Sequence, residues 1–274
     1  MAAAIDGAIS VLDRLQHALQ LQDPAAKCAA VASLVIDDDS CVKQARKQAR
    51  VRVAPGRPEC LKLVRPRDVP VRGLGSSEGR AALVHAIAHI EFNAMNLALD
   101  ACLSFGAMPA SYYEDWLSVA RDEARHFALL SARLHTMGHF YGAFPAHNGL
   151  WEQAEKTAHD VLVRMALVPR VLEARGLDVT PGMIARLQEV RDVETAAILR
   201  VILDEEVRHV AIGTQWFRWC CEGRGLEPNG TFLKLLADSQ TRIRPPVNWP
   251  ARVEAGFNLD ELPADVGLMR LRSE

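Results

Sequence analysis

The chain has 274 residues, 49% of them hydrophobic and only 6% aromatic, with a formal net charge of −2. That length and apolar content can build one large domain, or one domain with extensions, and the near-neutral charge excludes a global electrostatic drive towards nucleic acid or anionic membrane. The aliphatic, alanine-rich composition favours helix.

Taken in chain order, residues 1–79 read as two short helices, about Ile5–Gln22 and Ala25–Leu34, broken at Asp23-Pro24 and followed by a basic strap. The N-terminus lacks a basic leader region and no apolar run reaches transmembrane length, so a cytoplasmic protein without a membrane partner is expected. Ten Lys or Arg residues stand between Lys43 and Arg72, interleaved with four prolines. Proline at that density excludes a long helix, so 51–75 is predicted as an extended strap over the domain. Contact with RNA or a phosphate-bearing substrate is one reading of its charge. Arginines paired to acids of the bundle is the plainer one.

Residues 80–222 carry four long helical stretches. Helix A is predicted over Arg80–Ser104, B over Ala110–Met137, C over Leu150–Arg175 stopped by Gly176, and D over Val193–Cys221. Thr180-Pro181 reads as the N-cap and first position of a short additional helix. Short turns make A and B antiparallel, and C and D likewise. The connection His139–Gly149 is long enough, at about 35 Å when extended, to cross the bundle and make B and C parallel. Residues 223–274 read as one more helix near 232–242 and a proline-rich tail, Arg244–Pro250, that wraps back. The six cysteines, Cys28, Cys41, Cys60, Cys102, Cys220 and Cys221, form no Cys-x-x-Cys pair or disulfide framework, and reduced thiols are expected.

Two Glu-x-x-His motifs stand out, Glu123-Ala-Arg-His126 in B and Glu206-Val-Arg-His209 in D. Residues three apart share a helix face, so each presents a carboxylate and an imidazole together. Each follows a lone glutamate in the preceding helix, Glu91 or Glu173, by 32 or 33 residues. The motifs also share their flanks: an acid (Asp122, Glu205) before the glutamate and an arginine (Arg125, Arg208) before the histidine. The two sets are offset by 82–83 residues, as a duplicated helical hairpin would produce. Four carboxylates and two imidazoles converging in a four-helix bundle suit two hard divalent cations, Fe first, with Mn or a mixed Fe/Mn pair as alternatives. Glu123 and Glu206 are expected to bridge, with Glu91 and His126 on one ion and Glu173 and His209 on the other.

These residues resemble the ferritin-like di-iron carboxylate superfamily, ligand by ligand. The phrases Ala88-His-Ile-Glu91, Leu172-Glu-Ala-Arg-Gly-Leu-Asp178 and Ile202-Leu-Asp-Glu-Glu-Val-Arg-His209 further resemble a bacterial ferritin-like family designated domain of unknown function 455. More distantly, they are similar to tRNA-modifying di-iron hydroxylases. The resemblance implies an all-α, ferritin-like four-helix bundle with one long crossover, plus N-terminal helices and strap and a C-terminal tail. It also implies a di-iron oxidoreductase that activates O₂ on a small-molecule or tRNA substrate with an external electron donor. The alternative is a peroxide-consuming, storage or metal-binding protein. Neither substrate nor donor is legible, and the oligomeric state stays open, a dimer being one arrangement.

Around the ligands, Asp122 and Glu205 are candidates to hold the second nitrogen of the histidines, with Arg125 and Arg208 paired to those acids or to ordinary neighbours on a polar face. Ala94, Ala98 and Gly213 suggest room for a small molecule, since a mid-helix glycine marks close packing or ligand space. Pro169 should kink helix C near Glu173. His85 and His89, Trp116 and Trp216 read as packing residues. Tyr112 and Tyr113 lie too far along the helix from Glu123 for a role at the metals.

Overall fold

The computed structural model describes residues 10–36, 53–106 and 108–261. It is an all-α bundle, and among the described residues the only β pairing is an isolated bridge between Leu63 and Ala146. The helices are α1 (Val11–Gln20), α2 (Pro24–Ser33), α3 (Ser77–Ser104), α4 (Ala110–Thr136), α5 (Gly149–Lys156), α6 (Val161–Leu167), α7 (Ala174–Glu189), α8 (Val193–Gly223), α9 (Pro228–Asp238) and α10 (Trp249–Glu254). Their starts obey capping chemistry: the side chains of Ser10, Asp23, Ser76 and Asp192 accept from backbone N–H groups of the first turn.

Helix α3 is central. From Glu91 to Cys102 every residue is buried, because α1, α4 and α5 surround it. A helix apolar on nearly all sides belongs inside a bundle rather than on its surface. At one end of α4 Arg133 bonds Asp192 and Thr195 at the start of α8, while Asp115 near the other end accepts from Trp216 towards the far end of α8, so the two run antiparallel. Arg164 of α6 pairs with Asp100 near the end of α3, whereas Met183 of α7 borders the same small cavity as Leu83 near its start. The third long helical stretch therefore opposes α3 and runs parallel to α4, as the crossover required.

The crossover itself differs from the expectation. It is a coil over 137–148 followed by the eight residues of α5, which the sequence pattern had joined to helix C. A turn at 157–160 separates them, and Thr157 and the carbonyl of Ala154 are held there by the buried Arg164 guanidinium. His85 and His89, both buried, dock this coil onto α3. His85 Nε2 accepts the Gly142 N–H at 2.9 Å. His89 Nε2 donates to the His147 carbonyl at 3.0 Å, leaving Nδ1 to accept from the Tyr141 hydroxyl at 2.8 Å. Burial lowers both imidazoles to about 4, so they pack as neutral rings.

Helix C is also corrected at its other end. Residues Val168–Glu173 form a π-helical segment between α6 and α7, and Gly176 does not stop the helix, which continues to Glu189. Pro169 lacks an N–H and cannot donate back along α6, and the chain answers by widening the turn rather than by a simple kink. Pro181 and Thr180 lie inside α7, not at a helix start. The Leu177 carbonyl that Pro181 leaves without its helical partner accepts instead from the Asn248 side chain at 3.1 Å. Tertiary structure thus repairs a break that local propensity predicts.

The terminal segments each buttress one hairpin. Helices α1 and α2 lie on α3 and α4, and the fully buried Lys27 ammonium donates to the carbonyls of Leu19 and Gly56 and to Asn96 Oδ1, over the Phe92 ring. Helices α9 and α10 and the turn Leu259–Glu261 lie on the α6–α8 side. In the described part of the strap, Arg65 and Arg67 pair with Asp68, Arg72 with Glu78 and Arg57 with Asn148. Arg65 and Arg67 thus pair within the strap, whereas Arg72 reaches an acid of the bundle, Glu78 of α3. The basic residues from Lys43 to Arg52 and Cys41 lie outside the described residues, and Cys28, Cys60, Cys102, Cys220 and Cys221 are free thiols. No helix of the described residues is long and apolar enough to cross a membrane.

Candidate metal centre

The two Glu-x-x-His motifs face each other across α4 and α8. The His126 and His209 rings lie 5.8 Å apart, and both are fully buried. His126 Nδ1 is 3.2 Å from Glu91 Oε2 and 3.4 Å from Glu123 Oε2. His209 Nδ1 is 3.0 Å from Glu206 Oε2 and 3.0 Å from Glu123 Oε1. Two sets of donor atoms, Glu91–Glu123–His126 and Glu123–Glu206–His209, each lie within 4.8 Å of one another. Glu123 belongs to both, whereas Glu206, expected to bridge as well, belongs to one. Glu173 stands outside both tight sets. It is buried on the π segment, borders the same cavity as the other three carboxylates, and its Oε2 has no hydrogen-bond partner among the described residues.

The sequence-predicted supporting acids are present but exchanged between helices. Asp122 does not hold His126, its neighbour one turn along α4. It sits 3.2 Å from His209 Nε2, while Glu205 of α8 sits 2.6 Å from His126 Nε2. The reason is direction: Nδ1 points inward to the carboxylates, so Nε2 points outward across the α4–α8 seam. The arginines close this seam. Arg125 bonds both Asp122 and Glu205, and Arg208 bonds Asp122 and Ser118. A carboxylate on Nε2 keeps that proton in place, so that Nδ1 is the nitrogen that would offer its lone pair to an ion in the cluster once its own proton is displaced.

The electrostatics express the crowding. Burial pushes the Glu91 and Glu173 carboxyls well above the usual range, reinforced at Glu91 by the Glu123 charge and at Glu173 by Glu206 and Glu123. Glu206 is raised too, by burial and by Glu123. For Glu123 burial acts upward, but the charge of His209 and hydrogen bonds from both imidazoles outweigh it and hold the carboxyl low. Burial opposes charge on His126, yet Glu123 and Glu91 raise it to about 10; His209 is raised likewise by Glu123, Glu206 and Asp122. Four buried carboxylates thus draw positive charge into one place. Carboxylate and imidazole donors, a shared glutamate and an orphaned glutamate oxygen suit hard or borderline divalent cations, and this cluster could hold a metal ion.

The pocket residues divide. Ala94 lines the cavity beside Glu91. Ala98 is buried but is not part of that lining. Gly213 is not ligand space: a Cβ there would overlap the Pro169 ring, so the glycine is what lets α8 seat against the π segment. Trp116 and Trp216 are core, and Trp216 donates to Asp115. Tyr112 and Tyr113 donate to carbonyls of Ala101 and Phe105, at the end of the α3–α4 hairpin.

Sequence reading missed Arg170 and Glu261. Arg170, three residues before Glu173, is fully buried against the rings of Phe217, Phe232 and Phe257, with Glu261 Oε1 at 2.8 Å. The available signal was a lone arginine inside the apolar run Val168–Leu172.

A family model described as "Protein of unknown function (DUF455)" matches residues 20–263. A Haemophilus influenzae protein described as "Uncharacterized protein" is 47% identical over 213 residues, 75% of this chain and 74% of its own length. No solved structure matches the chain. With its family model spanning nearly all of the helical body just described, the chain belongs to the DUF455 family of proteins of unknown function.

Proposed function

We propose that this chain is a ferritin-like protein whose bundle holds two metal ions, Fe first, and that it is an O₂-activating oxidoreductase of the hydroxylase or oxidase kind. The observation that carries the reading is the pair of Glu–His sets joined at Glu123, each imidazole aimed inward by Nδ1 and held from behind by the other helix's acid. Glu91, Glu123 and His126 would hold one ion. Glu123, Glu206 and His209, completed by Glu173, would hold the second. Such a pair supplies two-electron redox chemistry towards O₂ or peroxide.

The chain's own residues support that chemistry. Glu205 and Asp122 keep the Nε2 protons and fix the tautomers. Arg125 and Arg208 neutralise those acids at the surface seam. The largely apolar walls of the adjoining cavity would let a seated substrate displace water from the cluster. Hydroxylation would place one oxygen atom of O₂ in a C–H bond and release the other as water, taking two electrons and two protons from an external donor. The substrate would be a small molecule or a tRNA group, and the setting cytoplasmic.

Metal analysis of the purified protein tests the first step, with two ions per chain expected. Anaerobic Fe(II) loading followed by O₂ should give transient visible absorption that Glu123→Ala abolishes. A chain that retains no metal from iron-replete cells and gives no such transient would end the proposal. Elution at a cage-like mass with stable iron accumulation would favour storage instead.

A further inference from the structure

The four carboxylates form one end of a cavity of about 160 Å³. Beyond them its walls are mostly hydrocarbon, with Ile87 and Ala94 from α3, Leu172 from the π segment and Leu199 and Ile202 from α8; Thr180 and Arg175 of α7 are the polar exceptions. Neither histidine lines it. Their outer nitrogens face away, onto Glu205 and Asp122. The approachable side of the cluster is therefore the side of Glu91 and Glu173, and Ile90, 49% exposed, marks the way in.

Two features set what this space accepts. Its one basic lining residue, Arg175, donates to the backbone carbonyls of Arg244, Pro245 and Pro246, so its guanidinium is turned to the tail and not set as a counter-charge for an anion. A charged group seated here would lose its water against hydrocarbon without a basic side chain turned towards it. On the α7 wall stands Gly176, where a Cβ would meet nothing nearer than Glu206 Cγ at 4.0 Å, so a side chain is dispensable there and its absence leaves room. An apolar cavity of about 150 Å³ takes a molecule the size of benzene.

We infer that this cavity is a substrate site for an uncharged hydrocarbon group of about six heavy atoms, free or at the end of a larger molecule, seated against Glu91 and Glu173. Its chemistry rests on the metal-centre reading; its binding does not. That difference makes the two separable by experiment.

The test titrates benzene into the full-length protein, as purified with its metal and again after chelation, by calorimetry and by thermal shift. One benzene per chain and a raised melting temperature are expected, with no binding of benzoate, which has the same ring and a negative charge. Ala94→Phe and Gly176→Leu fill the space from opposite walls and should each weaken benzene by about tenfold or more while metal content stays unchanged. A benzyl-capped polyethylene glycol separates the sources: its binding assigns an appended group, its exclusion a free molecule. Absence of benzene binding in the metal-replete chain, or equal binding by both filled variants, would overturn the inference while leaving the metal centre intact. Benzene binding by a chain that takes up no metal would leave the site standing and remove its chemistry.

Discussion

The two hairpins of the bundle carry nearly the same ligand spacing, 32 and 33 residues from lone glutamate to motif, on different backbones. In the α3–α4 hairpin both helices are unbroken, over Ser77–Ser104 and Ala110–Thr136, and Glu91 reaches His126 directly. In the second hairpin the equivalent of α3 is divided into α6, a π segment and α7, and Glu173 is the last residue of the widened turn, with no hydrogen-bond partner on Oε2 among the described residues. The buttresses differ in kind as well. The first hairpin is braced by one buried cation, Lys27, on neutral acceptors. The second is braced by buried ion pairs, Arg170 with Glu261 and Asp178 with Arg252. A repeated sequence pattern therefore places equivalent donors without giving them equivalent support.

The largest effect should come from the residue the hairpins share. On the two-ion proposal, Glu123→Ala is expected to remove both ions, whereas Glu91→Ala or Glu173→Ala should leave about one per chain, read by metal analysis after desalting. Equal losses in all three variants would erase the distinction between shared and private ligands.

Next in size are the buttresses. Removing one partner of a buried pair leaves the other charge uncompensated, so Glu261→Ala should cost about 3–5 kcal/mol in denaturant unfolding. It should also weaken the ion held with Glu173 more than the ion held with Glu91. Lys27→Met leaves neutral acceptors behind and should cost about 1–3 kcal/mol, with metal content unchanged. A reversed order would mean that the terminal segments do not brace the hairpins as their contacts indicate.

The exchanged acids give a sharper and smaller test. Glu205→Gln should act on the first set through His126, and Asp122→Asn on the second through His209, each lowering affinity for its ion by about 10–100-fold. If Asp122→Asn instead perturbed the ion of Glu91 and His126, the same-helix pairing that spacing suggests would be right after all.

Separate from these substitutions is a pH effect confined to the first buttress. Burial, reinforced by the Arg57 charge, lowers the Lys27 ammonium from 10.5 to about 7. Between those values the unfolded chain binds the proton more strongly, so stability rises with pH; below about 7 the lysine is charged in both states and the penalty is felt in full. The melting temperature of the wild type should gain on that of Lys27→Met between pH 7 and 10. A constant difference would show that the ammonium keeps an ordinary affinity for its proton.

Much of this molecule was legible locally. Glu and His three apart on a helix share a face whatever the helix packs against, so the inward donors of each motif followed from spacing alone. The fourth long helix begins at Val193 as its pattern predicts, with Asp192 capping it, whereas the first begins at Ser77 instead of Arg80 because Ser76 caps it three residues earlier. Several of the failures are places where a distant residue supplied what local chemistry lacked. Pro181 should have ended a helix, but Asn248 takes the carbonyl it leaves unpaired. Gly213 read as ligand space until Pro169 arrived from the facing helix. Asp122 belonged by spacing to His126, and packing gave it to His209.

The sequence by itself determined which side chains could act together along each helix, since that depends only on 3.6 residues per turn. Tertiary structure alone decided which acid backs which imidazole, how Glu173 is carried, and what shape of apolar space opens beside the cluster. Those depend on the rotation and distance of one helix against another, which packing over the whole core sets and no single segment encodes.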